Sequence, residues 1–302
     1  MATTGKPAAT QAADRILSEK QWQERRQQQR WRKYLPMALG IGLALVMILI
    51  AVLAPWLSPF DYSAQYSEYV LKGPGAGGKH HLGTDEYGRD LLSRILWGAR
   101  ISLLVGLAAV VVGFIVGVPL GIMAGFMGGR VEMAIMRVTD MLMAFPTLLL
   151  ALIIVAALGG SLWNEIIAIG IALTPSCIRL SRSLALTIRE NDYIMAARAL
   201  GCSQGRIMLR HILPNAISTI VVIATLDIAS AIRTEASLSF LGLGVPPPAP
   251  SWGNILSEGR QFIKCCPWLT TFSGFAIMLA VLAFNVTGDA LRDLLDPRMR
   301  GE

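Results

Sequence analysis

The sequence predicts an all-α integral membrane protein with six transmembrane helices and both termini in the cytoplasm. Three observations carry this expectation. First, 54% of the 302 residues are hydrophobic and 16% charged, with a mean hydropathy of +0.53, outside the balance of a soluble domain. Second, residues 35–57, 101–129, 141–162 and 267–288 contain no charge at all, and about 20 apolar residues suffice to cross roughly 30 Å of hydrocarbon. Two weaker candidates follow: residues 166–178, flanked by Glu165 and Arg179, and residues 216–232, interrupted by Asp227. These continuous Leu, Ile, Ala and Gly runs lack the short alternation of barrel strands. Third, with six spans and an inside N-terminus, 19 of the 27 Lys and Arg fall on the inner side, the side on which basic residues accumulate. The net charge of +7 therefore reflects orientation and lipid contact, and no nucleic-acid partner is expected.

Residues 1–34 read as a basic cytoplasmic tail, with Arg25, Arg26, Arg30, Arg32 and Lys33 drawn to anionic lipid. Residues 35–57 form the first span. It is expected to remain as an anchor, because the apolar run is longer than that of a cleavable signal. Residues 58–100 form an extracytoplasmic loop, in which Lys72, Lys79, Arg89, Arg94 and Arg100 run against the positive-inside rule. Thr84 or Asp85 is a candidate cap for a helix whose Leu91, Leu92, Ile95, Leu96 and Ala99 share one face. That helix is expected to lie along the membrane surface before the second span turns inward. Trp56, Trp97, Trp163 and Trp268 fall at the outer ends of spans, as interfacial anchors do.

Residues 101–288 form a five-helix core. Its first helix carries Gly113, Gly117, Gly121 and Gly125 at four-residue spacing, with Gly106 upstream. This flat ridge lets a neighbouring backbone approach closely in lipid, and Pro119 is a candidate kink. The next span opens at Asp140, which can pair with Arg137, and is expected to kink at Phe145-Pro146. Leu180, Leu184 and Ile188 carry the fourth span onward as a helix. Cys177, Cys202, Cys265 and Cys266 match no zinc spacing and His80, His81 and His211 are scattered, so no metal or other cofactor is expected.

A polar insert, residues 190–215, interrupts this hydrophobic core. Two short helical patterns flank Gly201, where positive φ reverses the chain without a Cβ clash. Ala196 and Ala197 allow another surface to approach, while Arg198, Arg206 and Arg210 keep the element soluble. Such a helix-turn-helix suits a groove on a partner.

The insert resembles the coupling loop of bacterial ABC importer permeases. That pattern is Glu-Ala-Ala, three residues, Gly, nine residues, Ile, one residue, Leu-Pro. Met195, Ala196, Ala197, Gly201, Leu213 and Pro214 fall at matching spacing, with Met195 in place of the Glu and His211 in place of the Ile. Three further segments narrow the resemblance to the C-type permease of the dipeptide/oligopeptide/nickel family. They are Leu82-Gly83-Thr84-Asp85 with Gly88-Arg89-Asp90; Leu238 to Gly244 with Pro247-Pro248 and Ser251-Trp252-Gly253; and Phe284-Asn285 with Gly288-Asp289, Leu291-Arg292-Asp293 and Leu295-Asp296-Pro297.

The resemblance implies a type I ABC importer permease fold and a heterodimer with a homologous B-type permease. It also implies docking of two cytoplasmic ATPases at residues 188–215 and cargo received from an extracytoplasmic solute-binding protein, in a bacterial inner membrane. No Gly-x-x-x-x-Gly-Lys-Ser/Thr run is present, so the chain is expected to be no enzyme. Residues 289–302 would form a cytoplasmic tail. Asp227, Arg233 and Glu235 are candidates for the translocation path, or alternatively for an ion pair within the bundle. An ion-coupled secondary transporter is the rival reading, but it has no need of the insert. An intramembrane enzyme would need a motif such as His-Glu-x-x-His or Gly-x-Ser-x-Gly, and both are absent.

Overall fold

The computed structural model describes residues 37–295; the basic N-terminal segment and the last residues of the C-terminal one lie outside them. Among the described residues there are ten α-helices. They are α1 (Met37–Leu57), α2 (Leu91–Met127), α3 (Gly129–Met143), α4 (Thr147–Leu158), α5 (Leu162–Arg189), α6 (Asp192–Ala199), α7 (Gln204–Ile207), α8 (Leu213–Phe240), α9 (Trp252–Gly259) and α10 (Trp268–Leu295). A π-helical turn, Met208–Ile212, joins α7 to α8. Five helical segments are long and apolar enough to cross a membrane, or six if α3 and α4 count as one bent span. All-helical spanning follows from lipid offering no partner to backbone N–H and C=O groups, which a helix satisfies within itself.

The centre of the molecule is the contact between α2 and α5. The glycine ridge of α2 lies against the backbone of α5. A Cβ added at Gly113 would stand 2.9 Å from the Gly170 carbonyl oxygen, at Gly117 2.7 Å from the Cys177 Cβ, and at Gly125 2.5 Å from the Arg182 carbonyl oxygen. Gly121 is tighter still against the Ile178 carbonyl. From the other side, Gly170 of α5 faces Val112. Gly106, off this register, faces Ile232 of α8 instead. Around the α2–α5 pair, Val105, Ala109, Ile169, Ala172, Ile232 and Ala280 join α8 and α10 into the main apolar core. Helix α1 stands at the periphery with its Gly40 against Val286 of α10.

Three expectations are corrected at the N-terminal end of α2. Its helix is not a separate surface segment: it runs unbroken for 37 residues, about 55 Å at 1.5 Å per residue, with Pro119 inside it. The cap is Asp90, not Thr84 or Asp85. One Asp90 carboxylate oxygen accepts from the Ser93 amide at 2.8 Å, and the other meets His80 Nδ1 at 2.9 Å inside a cage of Phe60, Tyr66 and Tyr69. The polar side of this first turn is also buried. Arg94 and Arg89 reach the Glu258 carboxylate of α9 at 2.8 and 3.2 Å, and Arg89 donates to Asp85 at 2.6 Å. Two of the five basic residues that run against the positive-inside count are thus matched by acids in place. Burial pushes the neighbouring Glu86 carboxyl above its ordinary range; the carboxylates of Glu258 and Asp85 add to this, while its own backbone amide and Arg89 oppose it.

The remaining differences are local. The 141–162 span is not one helix. It breaks at Ala144–Pro146, and α3 and α4 meet at 88°, because Pro146 can supply no amide to continue α3. The 12 residues of α4 extend only about 18 Å. Asp140 pairs with Arg179 of α5 at 2.8 Å rather than with Arg137. Trp268 is not a free anchor: it is half-buried, with its indole directed at the Thr84 carbonyl at 3.4 Å. Residues 289–295 extend α10 instead of forming a tail. The thiols of Cys265 and Cys266 lie 3.3 Å apart and are free, and burial pushes that of Cys266 up to about 11.

Two outcomes follow from this packing. Gly121→Leu should force α2 from α5 and lower stability by roughly 3 kcal/mol, whereas Gly205→Ala, whose added Cβ meets nothing within 4 Å, should lose none. Thermal unfolding in detergent checks both. Glu258→Gln strips the carboxylate from the buried Arg94 and should cost roughly 2 to 4 kcal/mol while opening residues 58–90 to limited proteolysis. An unchanged melting temperature and cleavage pattern would show that the ion network does not fasten this loop.

Candidate functional site

The polar insert is built on the end of α5, where Asn191 breaks the helix and its side-chain amide donates to the Ile188 carbonyl at 2.9 Å. After the eight residues of α6 the chain reverses at Gly201, whose φ is +78°. The Cys202 amide bonds the Ala197 carbonyl at 3.1 Å and the Gly201 amide bonds the Arg198 carbonyl at 3.0 Å. This 6→1 and 5→2 pair is the Schellman arrangement, which consumes the last carbonyls of a helix and requires a left-handed residue at the turn. Ser203 then caps α7, accepting from the Arg206 amide at 3.4 Å. Pro214 sits in the first turn of α8, where its missing amide costs nothing.

The insert has two faces. Ile194, Ala197, Ile207 and Ile212 point inward and form one apolar cluster with Val118, Ile122 and Phe126 of α2 and with Cys177 and Ala185 of α5. The Arg198 guanidinium lies over the Phe126 ring at 4.8 Å. Tyr193, Met195, Ala196, Leu200 and Leu209 point outward, with Leu200 85% exposed. The two alanines therefore divide their tasks, contrary to expectation. Ala196 is on the open face, but Ala197 is buried because three-residue spacing from Ile194 puts it on the same inward side. Leu213 is half-buried against the same cluster, and Pro214 is exposed. Tyr193, Leu200 and Leu209 are outward residues that spacing alone did not single out.

The charged residues of α8 are not brought together. No ion pair joins Asp227, Arg233 and Glu235 among the described residues. Arg233 and Glu235 are two residues apart, hence about 200° around the helix. Glu235 is fully buried, accepts from Ser239 Oγ at 2.9 Å and faces Glu165 of α5, itself fully buried. In this arrangement the Glu235 side chain has no exposed surface. Arg233 is exposed, donating to Ser230 Oγ at 3.0 Å, and lines a cavity of about 520 Å³ between α4, α8, α9 and α10. Asp227 is half-buried. Glu165 was not foreseen, since its place near the start of a weak span gives no sign of burial. Trp252 is the other omission: its indole donates to the Ile95 carbonyl at 3.0 Å, seating α9 on α2 where Gly98 leaves room.

Residues 117–301 match the family model of the binding-protein-dependent transport system inner membrane component, and residues 22–74 match that of the N-terminal transmembrane domain of oligopeptide transport permease C. The dipeptide transport system permease protein DppC of Alkalihalophilus pseudofirmus is 45% identical, over 98% of this chain and 96% of its own. The di/tripeptide transport system permease protein DppC of Pseudomonas aeruginosa is 44% identical, over 83% of this chain and 84% of its own. The glutathione transport system permease protein GsiD of Shigella flexneri is 47% identical, over 83% of each. Among solved structures, a chain of the inward-facing MetNI methionine ABC transporter superposes with a TM-score of 0.58 at 18% identity, covering 68% of this chain and 98% of its own, which identifies the fold. The chain belongs to the inner membrane components of binding-protein-dependent transport systems, as a multi-pass C-type permease of the dipeptide/oligopeptide branch.

Proposed function

We propose that this permease forms half of the translocation pathway of an ATP-driven importer of dipeptides, oligopeptides or a related small solute. It pairs with a homologous B-type permease, and two cytoplasmic ATPases dock on the assembly. An extracytoplasmic binding protein delivers the cargo. In this reading both termini and residues 188–215 are cytoplasmic, residues 58–100 face the binding protein, and residues 101–288 form the transport core. The chain itself has no chemistry to perform, because ATP hydrolysis belongs to the partners.

The observation that carries the proposal is the two-faced insert. Its inward residues, Ile194, Ala197, Ile207 and Ile212, pack on α2 and α5, while Tyr193, Met195, Ala196 and Leu200 stay open. An exposed apolar patch on a short helix fits a groove of a soluble ATPase, and the packed reverse side would hand its displacement to the core as rigid-body rocking. The substitution of Met195 for the family's Glu gives this chain an apolar contact where a charged one is expected. The peptide names of the relatives favour that cargo class.

The test is reconstitution of the complete assembly in vesicles. Gly201→Val forces a β-branched residue into φ of +78°, a conformation that only glycine adopts at little cost. It should leave the protein inserted and assembled while lowering peptide uptake per ATP hydrolysed at least about tenfold, the scale of a lost positioning contact. Uptake by the variant equal to wild type would refute the coupling role. Uptake that a proton ionophore abolishes while ATP is held constant would establish ion coupling instead.

A further inference from the structure

We propose that Arg233 is the position in this chain that reads the anionic end of the cargo, which makes a free carboxylate its preferred ligand. The assignment rests on the importer reading and narrows it. The walls of the 520 Å³ cavity are apolar, made by Leu148 of α4, Phe240 of α8, Leu241, Leu256 of α9 and Ile277 of α10. Its volume lies in the range of pockets that hold small organic solutes, about 300 to 1,000 Å³. No acidic residue lines it, and Arg233 is its one charged lining residue.

The charge of Arg233 is not spent among the described residues. Its guanidinium makes one side-chain hydrogen bond, to the neutral Ser230 hydroxyl, and takes part in no ion pair among the described residues. The nearest acid in sequence, Glu235, is turned to the opposite side of α8 and engaged with Ser239. This contrasts with Arg89, Arg94, Arg179 and Arg182, each of which meets a carboxylate. A cation in a spanning helix that faced hydrocarbon would be expensive, so such residues face water-filled cavities or partners. Near the cavity, the Arg260 guanidinium lies over the Phe240 ring at 5.1 Å, adding a second positive charge.

A planar guanidinium with free N–H groups matches a carboxylate in bidentate geometry, and the apolar walls suit aliphatic side chains. A peptide ammonium finds no counter-charge here.

Uptake of dialanine and of its C-terminal amide is compared in vesicles carrying the full assembly, with the binding protein saturated by each. Wild type should favour dialanine. Arg233→Gln should lower dialanine uptake about tenfold, the usual scale of a lost charged hydrogen bond, and amide uptake less than about twofold, whereas Arg233→Lys should retain most of the preference. Equal losses for both peptides, as expected if Arg233 only pairs with an acid of the partner permease, would overturn the assignment, as would no change in either. A wild-type assembly that takes up neither peptide with ATP would overturn the dipeptide cargo on which the assignment rests.

Discussion

The close approach of α2 and α5 is the constraint on which the rest of the structure depends. In a bilayer, burying apolar side chains gains little, so helices are held by packing and by what their backbones can reach. Four glycines in register supply that contact here, bringing α2 against carbonyls and small side chains of α5 over most of its spanning length. A helix of about 55 Å is longer than the roughly 30 Å of hydrocarbon, which leaves α2 length to spare for polar surroundings. One end is tied by Asp90, Arg94 and Glu258 to the 58–90 loop and α9. The other gives Val118, Ile122 and Phe126 to the insert. One strut, locked along its middle, thus joins the two polar ends of the molecule.

The distribution of charge follows the same division between fixing and using. Where the fold must be fixed, cations meet acids: Arg94 and Arg89 at Glu258, Arg182 at Glu132, Arg179 at Asp140. The exposed Arg179 pair contributes little to stability, and the buried network at α9 contributes mainly by leaving no charge unpaired. Arg233 is placed otherwise: it borders an apolar cavity, bonds only the neutral Ser230 hydroxyl and joins no ion pair among the described residues, which leaves its charge open to a partner from outside.

Much of this was legible in the sequence. The charge-free runs announced α1, α2 and α10, and the four-residue glycine spacing announced a packing face, because both signals are local and periodic. The Gly201 turn was legible because its backbone demand excludes most other residues. What failed to show was set by contacts distant in sequence. Arg94 looked like a surface residue because Glu258, its counter-ion, comes from a helix more than 160 residues later. Ala197 looked equivalent to Ala196, since spacing places them side by side without saying which side the core occupies. The 88° break between α3 and α4 was announced by Pro146 only as a kink. Its size reflects packing distant in sequence, since α3 lies against α5, where Arg182 meets Glu132.

Gly201 and Met195 illustrate two different kinds of requirement within one insert. No neighbour lies within 4 Å of a Cβ added at Gly201, so its demand comes from φ alone and does not depend on what docks there. Met195 has an ordinary helical backbone and an open side chain, so its demand is set entirely by the surface opposite. In the proposed coupling role, an insert that keeps its turn while changing its outward side chains would preserve the direction in which force enters the bundle and still adjust to the groove it meets. That is why the departure from the family pattern at Met195 leaves the geometry of the insert intact: the side chain that changed is one the fold itself does not use.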